Sequence, residues 1–123
     1  MKLNIKLKLN IKLIEILEDK GFKVYDVEKQ DNQYYVEVEQ YTPCGEDWIE
    51  TFWFDGTVDG FIEAVRERYN NFDVDEETEI WIESRGKNGV PSSIKALVKD
   101  AEWKEEMLGE LVDELESLNG EVN

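Results

Sequence analysis

The first dozen positions of the chain alternate strictly between polar and apolar side chains. Residues 2–7 read KLNIKL and residues 8–13 repeat those six letters, so leucine and isoleucine occupy every odd position. A period of two predicts a β-strand with one apolar face and one cationic face. We interpret residues 1–12 as a lysine-rich edge strand whose charges discourage pairing with other chains. An electrostatic latch and a membrane-surface contact are the alternatives.

Helical spacing replaces the alternation at Leu13 and Leu17. Asn10 is a candidate N-cap, because its side chain can accept a backbone hydrogen bond at the start of a helix. Gly21 is a candidate for the residue just past the C-terminal end, where a left-handed conformation is common. Together these signals predict a short helix over about residues 11–20.

Three further strands follow this helix. Alternating patterns or dense aromatic composition predict strands at Phe22–Glu28, Gln33–Tyr41 and Trp48–Phe54, separated by a polar turn at 29–32 and a loop at 42–45. Successive strands joined by short connections form an antiparallel meander, and such a sheet commonly buries one face.

The third of these strands carries bulky residues on both of its faces. We expect its aromatic set to lie in the core. Burial of both faces requires a helix over each of them, or a protein contact on one. The set consists of Trp48, Phe52, Trp53 and Phe54.

Helical spacing dominates the second half of the chain. Thr57 is a suitable N-cap for a helix that ends near Asn70. A longer stripe predicts a helix over 92–118, and residues 92–117 alone would span about 39 Å. Its internal Gly109 either admits another backbone or bends the helix. The stripe consists of Ile94, Leu97, Val98, Ala101, Leu108, Leu111, Val112, Leu115 and Leu118.

The segment at 75–85 is ambiguous between a helix and a strand. Asp73 or Asp75 can cap a helix there, whereas Ile80 and Ile82 alternate as they would in a strand. With a helix in this place, the element order is β-α-β-β-β-α-α-α. The sequence therefore predicts an α+β fold, in a single domain of residues 1–123, with a three- to four-stranded antiparallel sheet and a long C-terminal helix.

Acidic residues greatly outnumber basic ones. The chain has 30 Asp and Glu against 14 Lys and Arg, no histidine, and a formal net charge of −16. Residues 31–65, 69–84 and 105–123 contain acids but no base. Such a field attracts basic protein surfaces and repels phosphates. We therefore expect a basic protein partner and no direct nucleic-acid ligand.

Catalytic and metal-binding signatures are weak. With no histidine, Cys44 cannot form the usual Cys–His pair, and the sequence has no glycine-rich phosphate loop or nucleophile elbow. Asp73, Asp75 and later acids recur at calcium-loop spacing. The positions that need glycine and glutamate are, however, Thr78 and Ser84. We expect no enzymatic activity, no cofactor and no metal site.

The single cysteine and the apolar pattern bear on location. One cysteine excludes an internal disulfide framework and is typical of a reducing compartment. No window reaches the roughly 18 consecutive apolar residues of a membrane span, and the N-terminus lacks the apolar stretch of a signal peptide. We expect a cytoplasmic protein with no membrane association.

Three segments carry a resemblance to a group of known proteins. They are YTPCGED at 41–47, NFDVDEE at 71–77 and WIESRGKNGVPSSI at 81–94. Over about residues 22–118 the chain resembles small acidic proteins of phages and mobile elements of Gram-positive bacteria. The resemblance implies no catalytic residues.

In kind, the chain is also similar to small acidic anti-CRISPR proteins. These combine a helix, three antiparallel strands and further helices, and they present carboxylates where a nuclease expects DNA phosphates. The similarity implies a DNA mimic that inhibits a host bacterial defence nuclease, with a guide-loaded CRISPR effector as the first expectation. The alternative is an acidic interaction module that does not mimic DNA, including one that assembles as a homodimer.

Two carboxylate groups and one aromatic residue are the expected partner contacts. The groups lie at the start of the segment 75–85 and along the long C-terminal helix. The expected contacts are Asp73, Asp75, Glu76, Glu77, Glu79, Trp103, Glu105, Glu106, Glu110, Asp113, Glu114 and Glu116.

Overall fold

The computed structural model describes residues 12–31, 33–85 and 93–122. It confirms the α+β class, the antiparallel sheet and the long C-terminal helix. The strand predicted at 1–12 lies outside the described residues, apart from Lys12, which is helical. The elements are α1 (residues 12–19), β1 (Lys23–Gln30), β2 (Gln33–Tyr41), β3 (Asp47–Phe54), α2 (Val58–Asn70), α3 (Val74–Arg85) and α4 (Ile94–Val122).

The end of α1 turns the chain directly into the sheet. Gly21 has a φ of 94°, and its N–H donates to the Glu18 carbonyl at 3.0 Å. The Phe22 N–H donates to the Leu17 carbonyl, also at 3.0 Å. This pair of bonds is a Schellman motif, which satisfies the last carbonyls of a helix. The role predicted for Gly21 is therefore confirmed.

The described sheet has three antiparallel strands in the order β1-β2-β3. The bounds predicted for β2 are confirmed, while β1 runs to Gln30 and β3 begins at Asp47. Asp31 turns between the first two strands with a φ of 56°. A bulge between Val24 and Asp26 shifts the register of β1 against β2.

Aromatic rings join α2 to the inner face of the sheet. The Thr57 side chain caps α2 by accepting a hydrogen bond from the Gly60 N–H at 2.9 Å, as predicted. The Phe61 ring then packs edge-on against Phe52 and Phe54, with centroids 5.8 and 5.3 Å away. Such edge-to-face pairs contribute beyond the burial of their area.

The segment after α2 is a helix, not a strand. Asp73 accepts hydrogen bonds from the N–H groups of Asp75 and Glu76 at 2.9 and 3.2 Å, so it serves as the N-cap. Acidic residues in the first turn complement the helix dipole. Ile80 and Ile82 lie in α3 with exposed side chains. Their alternation in the sequence therefore did not indicate a strand.

Helix α4 packs along α2 and α3 and supplies much of the core. Leu108, Leu111 and Leu115 are fully buried in the predicted stripe. Ile94 is not part of the buried stripe, because it is 63% exposed in the first turn of the helix. The helix reaches Val122, four residues beyond the predicted end, and spans about 43 Å.

Gly109 accommodates a side chain from α2 and not another backbone. A Cβ atom at this position would lie 3.1 Å from the Tyr69 ring. The glycine therefore lets the Tyr69 ring approach the axis of α4 more closely than any larger residue would allow. The two explanations offered by the sequence, backbone approach and bending, both missed this contact.

Alanine substitutions can test which residues of the predicted α4 stripe are buried. Leu108→Ala should lower the free energy of unfolding by about 2–5 kcal/mol, because it opens a cavity in the core. Ile94→Ala should change it by less than about 0.5 kcal/mol, because that side chain is exposed. Denaturant unfolding followed by tryptophan fluorescence measures both. Equal losses for the two variants would contradict the packing described.

Candidate partner-binding surfaces and a buried polar cluster

The acids at the start of α3 point mainly outward. We call Asp73, Asp75, Glu76 and Glu79 the α3 patch, since all four are exposed. One carboxylate oxygen of Asp73 also accepts the hydrogen bonds that cap the helix. The patch places negative charge at the positive end of a helix dipole, where it is stabilised without a counter-ion.

Glu77, although predicted as a contact, is turned into the structure. Its two carboxylate oxygens lie 3.7 Å from Arg68 Nη2 and 3.7 Å from Lys104 Nζ. Its side chain is only 19% exposed. Glu77 therefore joins α3 to α2 and α4, and we remove it from the surface that a partner could reach.

Three of the predicted acids on α4 are engaged within the chain. Lys20 of α1 reaches both Glu110 and Glu114, with N–O distances of 3.2 and 2.7 Å. Arg66 of α2 binds Glu116 at 2.6 Å. These contacts neutralise part of the acidic helix and attach α1 and α2 to it. They are exposed pairs, so each contributes little to stability.

A line of carboxylates on the outer side of α4 has no counter-ion among the described residues. We call Glu102, Glu106 and Asp113 the α4 ridge, since all three are exposed and form no ion pair there. Glu102 was missed by the sequence reasoning, although its spacing of four from Glu106 places both on one side of a helix. Glu105 is half-buried beside the ridge.

Trp103 packs against the sheet. Its indole is half-buried and meets the Trp48 ring edge-on, with centroids 5.7 Å apart and planes at 70°. Trp103 is therefore not a free aromatic side chain on the surface, as its place among the predicted contacts requires. We leave Trp103 out of the candidate surfaces, because its contact explains its position on α4.

The sheet turns several aromatic side chains away from the helices. We call Tyr25, Tyr35, Glu37, Glu39, Ile49 and Trp53 the open sheet face, which no described helix covers. Trp53 is 46% exposed, so its predicted place in the core is wrong. It stacks beside Tyr35, with ring centroids 4.9 Å apart. The other three aromatics of β3 are buried, as expected.

One end of the open sheet face is a groove of about 330 Å³. The Tyr25 hydroxyl donates a hydrogen bond to Glu39, and the Lys23 ammonium lies 5.9 Å from the Tyr25 ring centroid. Hydrogen bonding with Asp47 first and with the Tyr25 hydroxyl second holds the pKa of Glu39 below its usual value. Gly21, Lys23, Tyr25, Glu39, Gln40 and Tyr41 line the groove.

A buried polar cluster fastens the loop before β3 to α4. Thr42, Glu46, Asp100 and Lys104 are each between 1 and 5% exposed. Lys104 Nζ lies 2.5 Å from Glu46 Oε2, and the Thr42 hydroxyl donates to Asp100 Oδ2 at 2.5 Å. Within the loop, the Glu46 N–H donates to the Thr42 hydroxyl oxygen at 2.9 Å.

The sequence reasoning did not find this cluster. One signal was available, because Lys104 stands between Ala101 and Leu108 at a position that the apolar stripe of α4 would otherwise occupy. A charged residue on the buried side of a helix needs an opposite charge nearby. Nothing in the spacing indicated that Glu46, 58 residues away, would supply it.

Burial raises the pKa of Glu46 from 4.5 to about 7, against the opposing hydrogen bond and charge of Lys104. Among the described residues, Glu46 Oε1 is buried without a hydrogen-bond partner. A hydrogen bond to Asp100 raises the pKa of Cys44, so its thiol is a weak nucleophile. Among the described residues, no group of three or more carboxylate or cysteine side chains is placed to hold a metal ion.

Comparisons with models of protein families, with curated proteins and with solved structures found no match. In the described part of the chain, no helix combines the length and the apolar character needed to cross a membrane. The functional interpretation of the candidate surfaces therefore rests on their geometry alone.

The raised pKa of Glu46 predicts how stability depends on pH. Between pH 4.5 and about 7 the native state holds a proton that the unfolded state has released. The associated stabilisation is complete below that window and is lost as pH rises through it. It amounts to roughly 3 kcal/mol at 1.36 kcal/mol per pKa unit. Glu46→Gln should therefore gain stability relative to the wild type from about pH 5 to about pH 8.

Denaturant midpoints across that pH range measure this difference. Glu18→Gln is the matched control, because it removes one exposed carboxylate from α1 and leaves the cluster intact. Its curve should remain parallel to that of the wild type. A Glu46→Gln curve that is also parallel would show that Glu46 does not titrate in the window.

Proposed function

We propose that this protein is a non-enzymatic inhibitor, of phage or mobile-element origin, that binds a host defence nuclease. Its carboxylates would occupy the basic channel in which that nuclease holds nucleic acid, and a guide-loaded CRISPR effector is the first candidate. The observation that carries the proposal is the α4 ridge, where exposed carboxylates stand without a counter-ion among the described residues.

The line of carboxylates along α4 supports this proposal. Four of its acids, Glu102, Glu105, Glu106 and Asp113, form no ion pair among the described residues. They lie within about 17 Å along the helix, at a mean separation of about 5.5 Å. A basic channel that binds a nucleic-acid backbone would therefore meet a line of negative charge, although a sparser one than the spacing of about 3.4 Å along one strand of B-DNA.

The internal ion pairs narrow the expected contacts. Lys20 and Arg66 engage Glu110, Glu114 and Glu116, so these acids already have a counter-charge. The α4 ridge and the α3 patch keep their charge for a partner. The proposal therefore rests on these two surfaces, and we expect the paired acids to contribute less to binding.

A gel-shift competition tests the proposal. The purified protein is added to a guide-loaded type II CRISPR nuclease and its target duplex, with a restriction enzyme and its site as a parallel case. We expect loss of the nuclease–DNA complex, and we expect the effect to weaken steeply as salt rises. An unchanged complex for both nucleases at low salt would count against DNA mimicry.

Charge reversal identifies the contact surface. Glu106→Lys with Asp113→Lys should weaken inhibition by about tenfold or more, because two favourable interactions become repulsive. Glu18→Lys with Glu67→Lys is the control, with the same change in net charge at exposed positions on α1 and α2. Thermal unfolding checks that both variants remain folded. Equal loss in the two variants would assign the effect to net charge and not to the ridge.

A second candidate function is an acidic interaction module that does not mimic DNA. The half-exposed Trp53 and Ile49 on the open sheet face favour it, because exposed apolar area is typical of a protein contact. Salt distinguishes the two functions. A contact that depends on apolar area keeps its affinity at high salt, whereas binding through carboxylates loses it.

A further inference from the structure

The open sheet face combines aromatic rings with carboxylates on neighbouring strands. On β2 and β3 the paired positions are Tyr35 with Trp53, Glu37 with Thr51, and Glu39 with Ile49. The carboxylates thus lie in the middle strand, where Glu39 stands between Lys23 and Ile49, and Glu37 lies next along β2 from the Tyr35–Trp53 pair. A cation that enters this face meets a ring and a negative charge together.

The groove at one end of the face already holds a cation from its own chain. The Lys23 ammonium lies over the Tyr25 ring, and Lys23 is paired in register with Glu39. A ring that attracts an ammonium does so through its negative face. Lys23, Tyr25 and Glu39 therefore bring an ammonium, a ring and a carboxylate together at one end of this face.

The spacing of the face suits an extended segment. Side chains on one side of a strand repeat about every 6.8 Å, since each residue advances about 3.4 Å. Tyr35, Glu37, Glu39 and Tyr41 follow each other on β2 with this repeat. A partner segment in extended conformation, with a cation at every second position, would keep the same repeat.

We propose that the open sheet face receives an extended, arginine-bearing segment of the partner protein. This inference rests on the proposed function only in taking the partner to be basic. Arginine fits better than lysine, because its planar guanidinium stacks on rings and forms paired hydrogen bonds with a carboxylate. The acids Glu37 and Glu39 would pair with guanidinium groups, and Tyr25 and Trp53 would stack on them.

Short peptides test the inference directly. The probes are an eight-residue peptide of alternating arginine and serine and its counterpart with lysine in place of arginine. Binding to the full chain is followed by tryptophan fluorescence and by calorimetry. We expect the arginine peptide to bind about fivefold more tightly, which corresponds to roughly 1 kcal/mol of ring contact. Equal affinities for the two peptides would overturn the inference.

Two pairs of variants locate the site. Tyr25→Ala with Trp53→Ala should abolish the preference for arginine, whereas Glu106→Lys with Asp113→Lys on the α4 ridge should retain it. Lys23→Gln should tighten binding several-fold, because it removes the cation that occupies the groove. Lys95→Gln changes the net charge equally at an exposed position on α4 and should have a smaller effect. A preference that survives the Tyr25 and Trp53 changes would overturn the inference.

The outcomes separate this inference from the proposed function. Arginine preference without nuclease inhibition would support the sheet site and count against the inhibitor. Nuclease inhibition without arginine preference would support the inhibitor and overturn the sheet site. The circular dichroism of each variant confirms its fold before binding is measured.

Discussion

The ion pair between Glu46 and Lys104 is the constraint on which the arrangement of sheet and helix depends. It fixes the loop that enters β3 to the middle of α4, and the Thr42–Asp100 hydrogen bond fixes the same loop one turn earlier on the helix. Loss of Lys104 would leave Glu46 without its buried counter-charge, whereas loss of Glu46 would leave Lys104 with Glu77 at 3.7 Å. The register between sheet and helix is therefore specified by charge as well as by apolar packing.

Three other basic residues, Lys20, Arg66 and Arg68, also join elements. Arg68 of α2 holds Glu50 of β3 with two hydrogen bonds at 2.9 and 2.8 Å, and the Trp48 indole donates to the same carboxylate. Lys20 and Arg66 connect α1 and α2 to α4. These bases lie between elements, while the acids of the α3 patch and the α4 ridge lie on the outside.

Local patterns predicted the elements well, because caps and periodicity act over a few residues. Thr57, Gly21 and the alternation of β2 are examples. The predictions that failed concern tertiary contacts. The side of β3 on which Trp53 lies, the inward turn of Glu77 and the position of Trp103 depend on which element packs opposite, and spacing within one element does not encode that. The polar cluster was missed for the same reason, since its two halves are 58 residues apart.

The carboxylates of the α4 ridge, which have no counter-ion in the described part of the chain, have a consequence for the solvent around the protein. Closely spaced charges of one sign retain mobile cations near them, as a nucleic acid does. Any protein that covers the ridge returns those cations to bulk solution. The entropy gained by the released ions would then favour association, so a partner would need only a basic surface of the right length and not a matching hydrogen-bond donor for each carboxylate.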